Sequence, residues 1–267
     1  MKRVIQIILL VLLCLALAAL VFFRFQSEEK KAEPIPVATE TPVPSEQVSE
    51  TPPAEIPKAS TEPTPVPTPE PTPEPGPYDD KPDIDITDWK YVLANTEHLL
   101  DRDFVPELTQ LEYGHAFDSR AVDALKAFLQ GARDEGLSVY LTSSYRGYAE
   151  QEYLFNNKVQ QYGGDRATAA RIVAIPGSSE HQTGLAADIV DQYYEYMNES
   201  LAETALSKWM YAHCAEYGFV LRFPEDKQDI TGIMFEPWHF RYVGEEAAAY
   251  MMEKNLCLEE FVALYEE

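Results

Sequence analysis

Apolar residues recur along the chain at two spacings, and these spacings predict most of its helices and strands. Between Asp118, a helix-capping residue type, and Gly136, a helix stop signal, apolar positions lie three or four residues apart, which predicts one helix. The same spacing predicts further helices at residues 149–161, 166–173, 201–217, 245–254 and 258–265. Short apolar runs predict strands at residues 137–142, 184–190, 219–223 and 238–243. Because helices and short strands mix without regular βαβ alternation, the pattern favours an α+β domain.

The longest apolar run lies at the start of the sequence, from Val4 to Phe23. Its length matches the roughly 20 residues that cross a bilayer and exceeds the apolar core of a signal peptide. Two basic residues precede the run, which favours a cytoplasmic N-terminus and an exported remainder. Residues 1–25 are therefore predicted to form a single-pass membrane anchor; cleavage as a signal peptide and lipidation at Cys14 are the alternatives.

Residues 26–87 are dominated by Pro, Glu, Thr and Val and include PTPVPTPEPTPEPGP at residues 63–77. Proline removes backbone donors and favours extended conformations, so this segment is predicted to be a disordered linker that builds no core. At about 3.1 Å per residue, such a linker could reach on the order of 100 Å from a membrane. A folded domain is predicted over residues 88–267, where the composition becomes typical of a globular protein.

The formal net charge of the chain is -24. A surface this acidic repels nucleic acid and anionic lipid headgroups, so a nucleic-acid partner is excluded. Outside the predicted anchor the chain has two cysteines, Cys214 and Cys257. Two cysteines define no disulfide framework, and the sequence leaves open whether they pair.

The stretch SSEHQTGLAADIV, residues 178–190, places polar residues inside an apolar run. If its second half is a strand, Gly184, Ala186 and Asp188 share one face. Small residues beside a carboxylate leave room for an ion, and an ionised carboxylate buried without a partner costs several kcal/mol. Asp188 therefore needs a cation, for which the stretch alone leaves either a metal ion or an arginine.

A second polar cluster lies in FEPWHFRYVG, where a proline separates Glu236 from His239. Proline favours an extended or turn geometry here and argues against the helical H-E-x-x-H arrangement. Zinc-dependent hydrolysis needs three protein ligands, an open position for water and a nearby carboxylate base. His181, Asp188 and His239 can supply the ligands and Glu236 the base; for His239 alone, a histidine satisfied in the core is the alternative.

These two motifs, S-x-H-x-x-G-x-A-x-D at residues 179–188 and E-P-W-H at residues 236–239, together resemble the zinc D-alanyl-D-alanine carboxypeptidases of the VanY type. That family forms a superfamily with the VanX-type D,D-dipeptidases, and the hedgehog signalling domain shares the fold. The resemblance covers about residues 94–244. It implies a single domain with a small antiparallel sheet flanked by helices, and one zinc ion (Zn²⁺) per chain.

The resemblance also extends to an SSYR sequence that ends at Arg146. It implies that Arg146 binds the scissile carbonyl or the developing oxyanion and that Gln151 and Ser179 help to hold the peptide. A fixed cation beside charge that grows in the transition state lowers the barrier selectively, although a surface arginine is the alternative. Trp238 and Tyr242 are further candidates for substrate contacts, with a place in the core as the alternative for both.

The predicted function is a membrane-tethered zinc carboxypeptidase that trims the C-terminal D-alanine of peptidoglycan stem peptides on the wall side of the cell membrane. An L,D-carboxypeptidase acting on tetrapeptide stems, a D,D-dipeptidase, a wall endopeptidase and a non-catalytic wall-binding module are the alternatives. Glu236 favours an enzyme, because a binding module needs no base. Phe223 stands where relatives often carry tyrosine, which leaves the fine specificity open.

Overall fold

The computed structural model describes residues 76–191 and 197–266. The predicted membrane anchor, residues 1–25, and the greater part of the predicted linker lie outside these ranges. Within them, every helix is too short or too polar to span a bilayer.

Two antiparallel sheets are present in the described part of the chain. The first pairs β1 (Leu108–Gln110) with β2 (Ala116–Asp118). The second has the order β3-β4-β6-β5 and comprises β3 (Tyr140–Ser143), β4 (Ala186–Val190), β5 (Phe219–Leu221) and β6 (His239–Tyr242). All four predicted strands lie in this central sheet. The β1–β2 pair was not predicted, since strands of three residues are too short to show an alternating pattern.

Seven α-helices surround the sheets in the described ranges: α1 (Val122–Asp134), α2 (Tyr148–Gln161), α3 (Arg166–Ala170), α4 (Ala205–His213), α5 (Gln228–Thr231), α6 (Glu245–Lys254) and α7 (Leu258–Ala263). The predicted helix at residues 201–217 is divided, because the Thr204 side chain accepts a hydrogen bond from the Ser207 N–H and so starts α4 afresh. Asp118 does not cap α1; it lies in β2 and pairs with Arg120. The predicted mixed α+β domain with a small antiparallel sheet is confirmed.

The central sheet has one apolar and one polar face. Ile189 of β4 and Phe240 of β6 belong to a core cluster with Phe128 of α1 and Met210 of α4. Because side chains alternate along a strand, Asp188 and the residues on either side of Phe240 project to the opposite face. The period of two therefore separates the core from the polar face on which the candidate site lies.

A second core cluster lies under the C-terminal helices, and it includes residues from before the predicted domain boundary. Ile84 and Ile86 pack against this cluster, and the Tyr265 hydroxyl donates to the Pro82 carbonyl at 2.7 Å. The ordered domain thus begins before Asp88, and the predicted linker extends too far at its C-terminal end. Ile84 and Ile86 add apolar surface to this core, but the acidic residues around them give the segment the composition of a linker. The buried members are Tyr91, Val220, Val243, Ala247, Ala248, Tyr250, Met251, Leu258, Phe261 and Val262.

Cys214 and Cys257 are both buried, and both are free thiols. Burial raises the pKa of each thiol to about 12. The sequence left their pairing open; in the structure no disulfide joins these two residues, and they serve as small packing residues.

Three buried charged residues and the half-buried Glu259 form an arginine–glutamate network beside the polar face of the sheet. Arg222 and Arg241 are 1% and 0% exposed. The Arg222 Nε and Arg241 Nη1 atoms both lie 2.7 Å from Glu180 Oε1, and Arg222 also binds Glu259 through two contacts of 2.9 and 2.6 Å. Two cations thus face two carboxylates, so that no buried charge in this network lacks a partner.

Glu259→Gln should lower the free energy of unfolding by on the order of 1.5–3 kcal/mol at pH 7, because Arg222 loses a charged hydrogen-bonding partner. Burial favours the neutral acid, but the Arg222 guanidinium outweighs burial and lowers the pKa of Glu259 below its ordinary value of 4.5. A group with a lowered pKa in the folded state stabilises the protein above its unfolded pKa and loses this effect as the pH falls. The difference between variant and parent should therefore shrink below about pH 4.5, as measured by chemical denaturation at several pH values.

Glu253→Gln provides the control, since the Glu253 side chain is 73% exposed. This variant should differ from the parent by no more than about 0.5 kcal/mol. A loss of stability in Glu259→Gln that is the same at pH 7 and at pH 3 would contradict the assignment of the effect to the Arg222 contact.

Candidate active site

Three predicted ligands meet on the polar face of the central sheet. Asp188 and His239 are direct partners across β4 and β6, so their side chains project from the same face. His181 lies in the short 3₁₀ helix Glu180–Thr183 that leads into β4. One potential ligand atom from each of these three residues lies within 4.8 Å of the other two, and all three side chains are buried.

The hydrogen bonds of His181 identify which of its nitrogens faces the site. Its Nδ1 lies 2.7 Å from the Ser144 carbonyl oxygen, which can only accept, so Nδ1 carries the hydrogen. Burial lowers the pKa of His181, and Arg146 adds to this effect, so the ring is neutral. The free lone pair is therefore on Nε2, which lies 3.2 Å from Asp188 Oδ2. A second residue of the SSYR sequence also holds His181, because the Arg146 backbone N–H donates to the His181 carbonyl at 3.0 Å.

The surroundings of His239 favour positive charge. Its Nδ1 lies 3.1 Å from Asp188 Oδ1 and 3.4 Å from Glu236 Oε2. Burial opposes protonation, but the nearby carboxylates of Asp188, Glu180 and Glu236 outweigh it and raise the pKa of His239 to about 9. Asp188 Oδ1 is buried and accepts no hydrogen bond in the described part of the chain.

Two imidazoles and a carboxylate are a ligand set of the kind that binds catalytic zinc with a fourth position left open. The buried Asp188 oxygen and the negative potential around His239 both fit a divalent cation at this place. His181 Nε2, the Asp188 carboxylate and His239 Nδ1 are the atoms that would hold it.

Glu236 lies in the turn that precedes β6. Its N–H donates to the Phe223 carbonyl and its carbonyl accepts from the His239 N–H, each at 3.1 Å. The expected non-helical geometry of the E-P-W-H motif is therefore confirmed. Burial raises the pKa of Glu236 to about 8, and the positive charges of His239 and Arg146 only partly oppose this. A carboxyl group with a pKa near neutrality is suited to both accepting and donating a proton.

The cluster opens onto a cleft of about 690 Å³. The predicted substrate-contacting residues Arg146, Ser179 and Trp238 line this cleft. Phe223 lines it as well, and its ring centroid lies 4.8 Å from that of His239. The described residues thus place a cation, a hydroxyl group and two aromatic rings around the candidate ligands.

Gln151 was expected to contact the peptide, and the structure gives it a different place. It is 0% exposed and does not line the cleft. Its Nε2 donates to the Ala174 carbonyl at 2.6 Å, and its Oε1 accepts from Arg146 Nε at 2.7 Å. Because both ends of the amide are used inside the domain, Gln151 orients Arg146 and is not available to substrate.

Tyr242 is also misplaced by the sequence prediction. It lies three residues after His239 on β6 and so projects to the other face of the sheet, where its ring stacks on Trp89 at a centroid distance of 6.0 Å.

The prediction that Gly184 is small to leave room for a metal is also wrong. Gly184 has a φ of 72°, and a Cβ there would lie 3.2 Å from the Asp118 backbone nitrogen, so the turn and the β2 strand require glycine.

Glu180, the residue directly before His181, was not predicted from the sequence to belong to the site. It is 2% exposed, and its Oε2 lies 3.6 Å from His239 Nε2. Charges on Arg222 and Arg241 outweigh burial and keep the pKa of Glu180 far below its ordinary range, so it is ionised. A sequence signal was available, since an acidic residue next to a predicted ligand in an apolar run requires a buried partner.

With the geometry established, comparison with known proteins gives the family. The model of the family described as VanY: D-alanyl-D-alanine carboxypeptidase matches residues 114–245. A D-alanyl-D-alanine carboxypeptidase of Enterococcus faecalis (strain ATCC 700802 / V583) is 36% identical over 186 residues, which cover 67% of this chain and 67% of the relative. The chain belongs to the VanY family. The other curated relatives that the VanY-family chain matches are covered less fully, over 44% to 65% of their length.

The solved structures that are similar to the VanY-family domain include a D,D-pentapeptidase and an LD-carboxypeptidase. A mutant of the vancomycin resistance D,D-pentapeptidase VanY from a VanB-type cassette, in complex with Zn(II), is 34% identical with a TM-score of 0.59, over 66% of this chain and 99% of that one. The LdcB LD-carboxypeptidase is 36% identical with a TM-score of 0.58, over 64% of this chain and 84% of that one. A zinc-bound relative agrees with the chemistry of the His181, Asp188 and His239 cluster.

Proposed function

We propose that this protein is a zinc carboxypeptidase that removes the C-terminal D-alanine from peptidoglycan stem peptides. The observation that carries the proposal is the buried cluster of His181, Asp188 and His239, which opens onto a cleft with the Glu236 carboxylate 3.4 Å from His239. The VanY family and the E. faecalis relative support D-alanyl-D-alanine ends as the substrate.

Zinc held by His181, Asp188 and His239 would supply a bound water of lowered pKa and polarise the scissile carbonyl. Glu236 takes the proton from the attacking water and delivers it to the leaving amine, for which a pKa near neutrality is favourable. Arg146, oriented by Gln151, donates to the carbonyl oxygen as negative charge develops there. Trp238 and Ser179 position the peptide in the cleft.

An L,D-carboxypeptidase that removes D-alanine from tetrapeptide stems is the second candidate. Its support is the similarity to LdcB, which is as close in sequence identity as the VanY structure. Both candidates use the same cluster and the same base, so they differ only in the residue that precedes the scissile bond.

The proposed setting is the wall side of the cell membrane, with stem peptides as partners. Residues 1–25, with their apolar run at residues 4–23, would anchor the chain, and the proline-rich segment that follows would give the catalytic domain its reach. The acidic charge of the chain supports a partner other than nucleic acid.

Mass spectrometry of products tests the proposal. The zinc-loaded full-length chain is incubated separately with a pentapeptide stem that ends in D-alanyl-D-alanine and with the corresponding tetrapeptide stem. We expect loss of a single alanine from the pentapeptide, and faster loss from the tetrapeptide would instead select the L,D-carboxypeptidase. Release of a dipeptide or cleavage inside the stem would refute both carboxypeptidase candidates. If neither stem gave a product, the protein would be a non-catalytic wall-binding module.

A further inference from the structure

Glu180 divides its two carboxylate oxygens between different groups. Oε1 accepts from both Arg222 and Arg241, each at 2.7 Å. Oε2 is buried and accepts no hydrogen bond in the part of the chain that the structure describes. The nitrogen opposite Oε2 is His239 Nε2, at 3.6 Å.

His239 shows the complementary arrangement. Its Nδ1 faces Asp188 and Glu236 on the side of the candidate ligands. Its Nε2 is buried and has no hydrogen-bonding partner among the described residues. The imidazole thus lies between the ligand cluster on one side and the free oxygen of Glu180 on the other. A carboxylate that faces the outer nitrogen of a metal-binding histidine holds the ring and makes the inner nitrogen a stronger ligand.

The contacts of the two Glu180 oxygens differ from those of an ordinary ion pair. Arg222 binds Glu259 in a bidentate manner, with one guanidinium nitrogen on each carboxylate oxygen, which is the most favourable geometry for an arginine–carboxylate pair. On Glu180, two arginines share Oε1 and leave Oε2 to His239. The two arginines thereby fix the direction of the carboxylate, since each is itself held at a second point. Arg222 is held by Glu259, and Arg241 by the Lys90 and Val92 carbonyls.

We propose that Glu180 is a positioning residue that orients His239 for metal binding, with Arg222 and Arg241 as its supports. The inference rests on the zinc-dependent function proposed above and adds to it a residue that contacts neither metal nor substrate. It also connects the metal centre to Arg222 and Glu259, and Glu259 lies on the C-terminal helix α7, beyond the part of the chain that matches the family model.

Glu180→Gln tests the proposal in the full-length chain, with Zn²⁺ affinity measured by competition with a chromophoric chelator. Glutamine keeps the size of the side chain but removes the charge that faces His239, so the affinity should fall by about 10- to 100-fold. Glu253→Gln is the matched control, because it makes the same change at an exposed carboxylate outside the arginine–glutamate network, and its affinity should stay within about twofold of the parent. Parental affinity in a folded Glu180→Gln variant, or an equal loss in both variants, would overturn the proposal.

A measurement on the unchanged protein covers the case in which Glu180→Gln fails to fold. In the zinc-loaded parent, the imidazole ¹H–¹⁵N spectrum should show His239 with a hydrogen on Nε2 that exchanges slowly with solvent. A His239 without this hydrogen, or with zinc on Nε2, would overturn the proposal. Neither measurement involves a peptide, so a parent that binds zinc as expected but releases no alanine would refute the proposed function and not the role of Glu180.

Discussion

Glu236→Gln should reduce kcat on a D-alanyl-D-alanine peptide by about 10²- to 10⁴-fold, with zinc still bound. The carboxylate lies 3.4 Å from His239 at the edge of the cleft, where it can reach a water beside the ligands. Glutamine has nearly the same shape but cannot take a proton, so the substitution removes the proposed base and leaves the cluster. Zinc content by elemental analysis and kcat on a pentapeptide stem measure the two effects separately.

Glu253→Gln is the control for this experiment, because Glu253 is exposed on α6 and has no part in the site. It should retain the activity and the zinc content of the parent. If Glu236→Gln kept more than about a tenth of the parental kcat, the base would have to be another group. If it lost zinc together with activity, Glu236 would belong to the ligand set.

His181→Ala is expected to have the other large effect, a loss of zinc binding, because it removes one of the three proposed ligands. Its zinc affinity should fall by more than the roughly 100-fold expected for loss of a supporting residue, and turnover should fall with it. The Ser144 carbonyl would also lose its hydrogen-bonding partner, so the fold is checked by circular dichroism before zinc is titrated.

His98→Ala serves as the matched histidine control, since His98 is exposed, its Nδ1 lies 3.1 Å from Asn95 Oδ1, and it is not one of the candidate ligands. It should bind zinc with the affinity of the parent. Zinc bound equally well by His181→Ala and by His98→Ala would show that the ion is held elsewhere.

Several features of the fold could be predicted because they depend on local patterns. The helical spacing that begins at Val122 and the stop at Gly136 gave α1 to within a few residues of its ends. The short strands β1 and β2 could not be predicted, because three residues are too few to show an alternating pattern, and the break at Thr204 was missed because the apolar spacing continues across the local cap. The C-terminal part of the proline-rich segment was misjudged because the partly buried Ile84 packs against a cluster that includes helical residues some 160 positions later in the chain.

The candidate site shows the same division. Its residue types were predictable, because a zinc hydrolase needs a restricted set of donors and a carboxylate, and two short motifs contain all of them. The places of Gln151 and Tyr242 were not predictable. Gln151 is used up by contacts with Arg146 and Ala174, and the phase of β6 turns Tyr242 away from the cleft.

The sequence by itself therefore determined the class of the domain, the proposed ligands His181, Asp188 and His239, and the candidate base Glu236, since chemistry selects residue types and motifs preserve their spacing. Only the tertiary structure decided which nitrogen of each histidine faces the site, and that Glu180 stands behind His239. These features depend on the register of β4 against β6 and on buried ion pairs between distant segments. Register and burial arise when the sheet is assembled, so no local pattern in the chain encodes them.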